Sequence, residues 1–69
     1  MNTALNNRLK ELRAERHLTQ AKLAEAVGVS RKTINTIENC VFIPSTVLAL
    51  RLARVLKVPV EDIFAIEDA

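Results

Sequence analysis

The sequence predicts an all-α fold: a compact bundle of five short helices, with room for short extended termini. Three observations predict it. Of the 69 residues 49 % are apolar, yet one Gly, two Pro and two aromatic residues leave the chain poor in the turn formers and aromatics that build sheets. Its apolar residues recur three and four apart, the period of a helix face and not of a strand. Thr19, Ser30 and Ser45 each stand where such a run begins, as N-caps do.

The first helix is expected from Ala4 to about Arg16, capped by Thr3 or Asn2. Leu5, Leu9 and Leu12 form its apolar stripe, and Arg8, Lys10, Arg13 and Arg16 give it a basic remainder, moderated by Glu11 and Glu15. Leu18 packs the turn that follows. His17 lies near the C-terminus of this helix, where positive charge is favoured, and reads as a surface residue. Thr19 then caps QAKLAEAV, which brings Leu23, Ala24 and Val27 onto one face, and Gly28 breaks it where a left-handed residue is needed. Ser30 caps a third helix, RKTINTIEN, with Ile34 and Ile37 turned inward.

The segment CVFIPS breaks the pattern: Phe42 is expected to be buried, and Val41 and Ile43 either tuck under the loop or join a protein interface. Pro44 stops any continuation and Ser45 caps a fourth helix from Thr46 to about Lys57. Ala49, Leu52, Ala53 and Leu56 form one of its faces. Val47, Leu48, Leu50 and Val55 add apolar surface elsewhere, so this helix is central or shared with a partner. Val58-Pro59 starts a short fifth helix, VEDIF, with Glu61 and Asp62 in the first turn. Phe64 and Ile66 alternate around Ala65, a pattern that suits a short extended segment pairing near the N-terminus.

Residues 19–39 carry the functional signal. Helix, glycine turn and a second helix whose remaining positions are Arg31, Lys32, Thr33, Asn35 and Thr36 make the helix-turn-helix pattern of DNA-binding proteins. Such a face suits base edges and phosphates: Arg31 and Lys32 as readers of guanine or as phosphate contacts, Asn35 as a bidentate partner of adenine, Thr33 or Thr36 against a thymine methyl. Ser30 and Asn39 occupy positions suited to phosphate oxygens, Ser30 while also capping its helix.

LTQ at 18–20, LA at 23–24, GVSR at 28–31, TI at 33–34 and IEN at 37–39 resemble the Cro/phage-repressor (XRE-type) helix-turn-helix regulators. PS at 44–45 and VEDIF at 60–64 are similar to its small members, so the resemblance runs from about Leu9 to Phe64. It implies a lambda-repressor-like bundle, a single domain over 1–69, and a sequence-specific regulator of double-stranded DNA, most simply a repressor. It also implies that Gln20 contacts the DNA backbone and supports the recognition helix, and that Arg13 pairs with Glu38 between the first and third helices. One departure stands out. Where the family has Asn-Gly followed by a basic or polar residue, this chain has Asn39-Cys40-Val41; a Cys in a left-handed cap would cost about 1 kcal/mol relative to Gly, so either Asn39 takes that conformation instead or the helix ends differently.

Charge fits this reading. Residues 1–60 carry all ten Lys and Arg against four glutamates, a net +6, and residues 61–69 carry four acids and no base, a net −4. A basic body with an acidic end steers one surface toward polyanions. The sequence shows no Ser-His-Asp set, no second base beside His17 and no phosphate-cradling loop, so an enzyme is not expected, nor are a metal, a cofactor or a small-molecule ligand. The lone Cys40 and the absence of a membrane-length apolar run point to a cytoplasmic protein with no membrane role. One small domain makes few DNA contacts, so a homodimer is expected, with Leu48, Val55, Val60, Phe64 and Ile66 as its interface. The competing class is a protein-interaction or antitoxin-type module that uses the same fold.

Overall fold

Three side-chain hydroxyls start the central helices. Thr19 Oγ1 accepts the Lys22 N–H at 3.0 Å, Ser30 Oγ that of Thr33 at 3.2 Å, and Ser45 Oγ that of Leu48 at 3.1 Å. Each satisfies one of the amides a helix leaves unbonded at its start, worth about 1 kcal/mol. The computed structural model describes residues 3–68, in the order β1 (Thr3–Asn7), α1 (Leu9–Glu15), α2 (Gln20–Val27), α3 (Arg31–Glu38), α4 (Thr46–Leu56), α5 (Val60–Ile63) and β2 (Phe64–Asp68). No helix among these residues is long and apolar enough to cross a membrane.

The core collects the inward stripe of every helix: Leu9 and Leu12, then Leu23, Ala24 and Val27, then Ile34 and Ile37, then Leu48, Leu52, Ala53 and Leu56, and last Ile63. Leu18, Val29, Val55, Val58, Val60 and Phe64 pack around it, half-buried. Burying a Leu or Ile side chain contributes about 1.5–3 kcal/mol, so these stripes decide how the helices stack.

The fold is not purely helical. β1 and β2 pair antiparallel in a two-stranded sheet, from Thr3 opposite Asp68 to Asn7 opposite Phe64. The first helix therefore begins at Leu9 and not at Ala4, and Leu5 faces Ile66 across the sheet instead of extending the helix stripe. Asn6 and Asn7 explain the break. Asn6 Oδ1 accepts the Asn7 N–H at 3.0 Å and Asn7 Oδ1 the Leu9 N–H at 3.1 Å, local bonds that compete with a helix. The Arg8 N–H then bonds Ile63 O at 2.8 Å, tying the start of α1 to the end of α5. Asn2, the other expected cap, lies outside the described residues. The fifth helix also closes one residue early, since Phe64 is already extended and opens β2.

Two further expectations change in the α3–α4 loop. Phe42 is 47 % exposed, not buried, and Val41 and Ile43 are more exposed still. Cys40, not Asn39, takes the left-handed conformation, at φ 60 against φ −87 for Asn39. In that turn the Val41 and Phe42 amides both bond Thr36 O, which satisfies a terminal carbonyl of α3 and turns the loop side chains outward.

Candidate nucleic-acid interface

α3 is positioned by its own amphipathic pattern. Ile34 and Ile37 are buried, and the opposite side carries Arg31, Lys32, Asn35 and Asn39, all exposed. Arg31, Asn35 and Asn39 are four residues apart and so stand one above another along the helix. Ser30 is exposed at its N-terminus, where free amides suit an anion. Thr33 and Thr36 are half-buried. Thr36 Oγ1 donates to Thr33 O at 2.9 Å, and Thr33 Oγ1 lies 3.0 Å from Ser30 Oγ, so both hydroxyls are turned onto the helix itself.

A polar network holds this face. Arg13 Nε donates to Glu38 Oε2 at 2.7 Å and its Nη2 to Glu38 Oε1 at 3.2 Å, while Nη1 donates to Leu18 O at 2.8 Å. The Glu38 side chain is only 3 % exposed and that of Arg13 15 %. With both carboxylate oxygens engaged, the charge is paired and its hydrogen bonds are made, which a buried ion requires. Gln20 extends the network from the first turn of α2. Its Nε2 donates to Glu38 Oε1 at 3.0 Å and to Asn35 Oδ1 at 3.2 Å, and its Oε1 accepts from Arg31 Nη1 at 3.3 Å. Asn39 Nδ2 also donates to Asn35 Oδ1, at 3.4 Å.

The structure thus joins Arg13, Glu38, Gln20, Arg31, Asn35 and Asn39 in one cluster, with Lys32 exposed on the same side of α3. Among the described residues Asn35 Nδ2 has no partner, while its Oδ1 already accepts two bonds. A bidentate contact with adenine therefore has to displace one of them. The five apolar residues expected at a dimer interface are not equivalent. Leu48 is buried in the core at 8 % exposure and has little surface to offer a second chain. Val55, Val60 and Phe64 are half-buried, and Ile66 is exposed.

Asn7 was not among the residues read from the sequence. Its Nδ2 donates to Ile37 O at 2.8 Å, linking β1 to the end of α3. The signal available was an Asn one residue before the N-cap Arg8, a place that acquires meaning only once the helix is known to start at Leu9.

Two capped helices about a left-handed Gly28 at φ 80, the second with a polar outer face, define a helix-turn-helix DNA-binding module. Residues 9–63 match the helix-turn-helix family model, and the chain belongs to this family as an XRE-type transcriptional regulator that binds DNA. It is 47 % identical over 64 residues to an uncharacterised HTH-type transcriptional regulator of Methanocaldococcus jannaschii, covering 93 % of this chain and 97 % of that one. With the uncharacterised HTH-type regulator YgzD of Bacillus subtilis it shares 41 % identity over 64 residues, with the same coverage. Among solved structures it is similar to the restriction-modification controller protein C.AhdI from Aeromonas hydrophila, with a TM-score of 0.75 and 33 % identity over 80 % of each chain.

Proposed function

We propose that the chain acts in the cytoplasm as a single-domain repressor, a homodimer that reads a two-fold operator by placing α3 in the major groove. The observation that carries this reading is the outward face of α3: Arg31, Lys32, Asn35 and Asn39 exposed on a helix braced through Gln20, Glu38 and Arg13. A helix held this way presents its donors without paying to order them on binding. Arg31 and Asn35 read base edges, Lys32 reads guanine or holds phosphate, and Ser30, Gln20 and Asn39 meet the phosphates. The methyl groups of Thr33 and Thr36 are left for thymine, since their hydroxyls face the helix. Repression follows if the bound dimer occupies DNA that the transcription machinery needs.

The dimer is supported by apolar surface on the sheet and α4. Leu5, Pro44, Thr46, Ala49, Leu50, Val60 and Phe64 line a mostly apolar groove of ≈ 230 Å³, and Val47, Leu50 and Ile66 remain 60 %, 56 % and 68 % exposed. A patch of this kind on a small chain marks an interaction site. Two recognition helices about 34 Å apart would then match one turn of B-DNA.

Selection of bound duplexes from a random pool, with sedimentation of the selected complex, tests the reading. A palindromic site with half-sites one turn apart and two chains per duplex is expected. A clean monomer on a single half-site removes the homodimer. The exposed Val41, Phe42 and Ile43 favour a second reading, a protein-docking module of antitoxin type. Salt separates the two: phosphate-driven binding weakens steeply as salt rises, and an apolar contact does not.

A further inference from the structure

The recognition helix is gripped at its C-terminal end from two sides, and only one grip comes from the ion pair. Arg13 holds the side chain of Glu38. The preceding residue, Ile37, is held by its main chain: its carbonyl oxygen accepts the Cys40 N–H at 3.0 Å and Asn7 Nδ2 at 2.8 Å. We propose that Asn7 is a positioning residue for DNA reading, tying the terminal sheet to the recognition helix and setting the tilt at which α3 meets the groove. The proposal rests on the DNA reading above.

Besides a weak Nδ2 contact to Cys40 Sγ at 3.6 Å, the geometry gives the Asn7 side chain two close partners that require opposite atoms. Its Oδ1 accepts the Leu9 N–H at 3.1 Å, replacing the cap that Arg8 does not supply, and its Nδ2 faces Ile37 O. Turning the amide over would set oxygen against oxygen and N–H against N–H, so the partners themselves fix its orientation. Asn7 is anchored in turn: it lies opposite Phe64 in the sheet, and the next amide, of Arg8, bonds Ile63 O at 2.8 Å. Phe64 also lines the apolar groove. A path of three residues, Phe64, Asn7 and Ile37, therefore joins the proposed dimer face to the backbone of the reading helix. A side-chain contact alone would let the helix swing about a flexible arm; a bond to its main-chain carbonyl does not. Two helices that must engage successive major grooves need their tilt set relative to the dimer face, and Asn7 makes that connection.

Asn7→Ser and Asn7→Asp test it. Both keep an oxygen for the Leu9 N–H and remove the Nδ2 amide that reaches Ile37 O, and Asp keeps an acceptor of the same reach as Asn even if the shorter Ser does not. Each full-length variant is titrated with the selected duplex and with a scrambled duplex of equal length. Loss of one net hydrogen bond predicts that affinity for the selected duplex falls about five- to tenfold in both variants. Affinity for the scrambled duplex is expected to change by no more than about twofold in Asn7→Ser, which leaves the charge unaltered, since phosphate charge dominates it; in Asn7→Asp, which adds a negative charge, the ratio between the two duplexes is the readout. In the free protein, amide exchange at residues 39–41 should accelerate in both variants. An unchanged ratio between the duplexes overturns the proposal, and so does an equal loss on both, which would report damage to the fold alone. If the wild-type chain itself shows no preference for any duplex, the DNA reading fails first, visible before any variant is made, and this proposal falls with it.

Discussion

The helix starts and the turn within residues 19–39 close their polar groups among near neighbours: Thr19 bonds Lys22, Ser30 bonds Thr33, and Gly28 turns the chain between them. Residues 3–7 and 64–68 close theirs with each other, across nearly the whole length of the chain. The caps and turn of the first region are specified by contacts a few residues apart, so its helices and their break are set locally, while Arg13 and Asn7 reach its last turn from outside. A two-stranded sheet is marginal alone and depends on what lies beneath it. Here the support is Ile63, buried in the core just before β2, and Phe64, packed against it. The difference teaches where each region is vulnerable: the helix-turn-helix to changes of single residues, the sheet to loss of its partner or of the core under it.

The largest expected break lies where the helix-turn-helix meets the rest of the chain. Glu38→Ala strands the Arg13 guanidinium, on a side chain 15 % exposed, and removes one of the two acceptors of Gln20 Nε2. A loss of about 3–5 kcal/mol is expected in denaturant unfolding, together with weaker DNA binding. Unchanged melting and affinity would show that the pair holds nothing.

Arg31→Ala acts on the surface of the same region without touching the core. It should cost about 1–3 kcal/mol in binding to the selected duplex and relax preference at one base position, with the melting temperature nearly unmoved. An equal loss on every operator variant would make Arg31 a phosphate contact.

The two turns that flank α3 make a reciprocal pair. Gly28→Ala places a Cβ at φ 80, where the nearest atom among the described residues is Arg51 Nη1, at 3.8 Å, so the cost is backbone strain of about 1 kcal/mol. Cys40→Gly relieves the same strain at φ 60 and should raise stability by about 0.5–1 kcal/mol, less the weak Asn7 Nδ2 contact to Sγ at 3.6 Å. Thermal unfolding of both variants checks the signs; a destabilised Cys40→Gly would mean the thiol contributes more than its turn costs.

The smallest effect on stability is expected in the sheet. Ile66→Lys changes a side chain 68 % exposed, so monomer unfolding should shift by no more than about 0.5 kcal/mol. Sedimentation should nevertheless move from dimer to monomer. A dimer that survives the charge places the interface elsewhere.

What the sequence determined by itself is the local part of this protein. Ser30 before RKTINTIEN, Ile34 and Ile37 three apart, and Gly28 at the turn are each interpretable within one helical turn, because caps and i,i+3 neighbours are local physics. The polar character of the α3 face was legible for the same reason. The start of α1 was not: Leu5, Leu9 and Leu12 keep a helical period, and only the pairing of Leu5 with Ile66 shows that Leu5 belongs to a strand. Phe42 looked like core by its chemistry, yet the Cys40 turn carries it outward. Leu48 looked like surplus apolar surface, and the packing of α4 buries it. Asn7 acquires its role only when Ile37 O arrives from thirty residues away. Such contacts depend on where the whole chain brings its parts, and no window of a few residues contains that information.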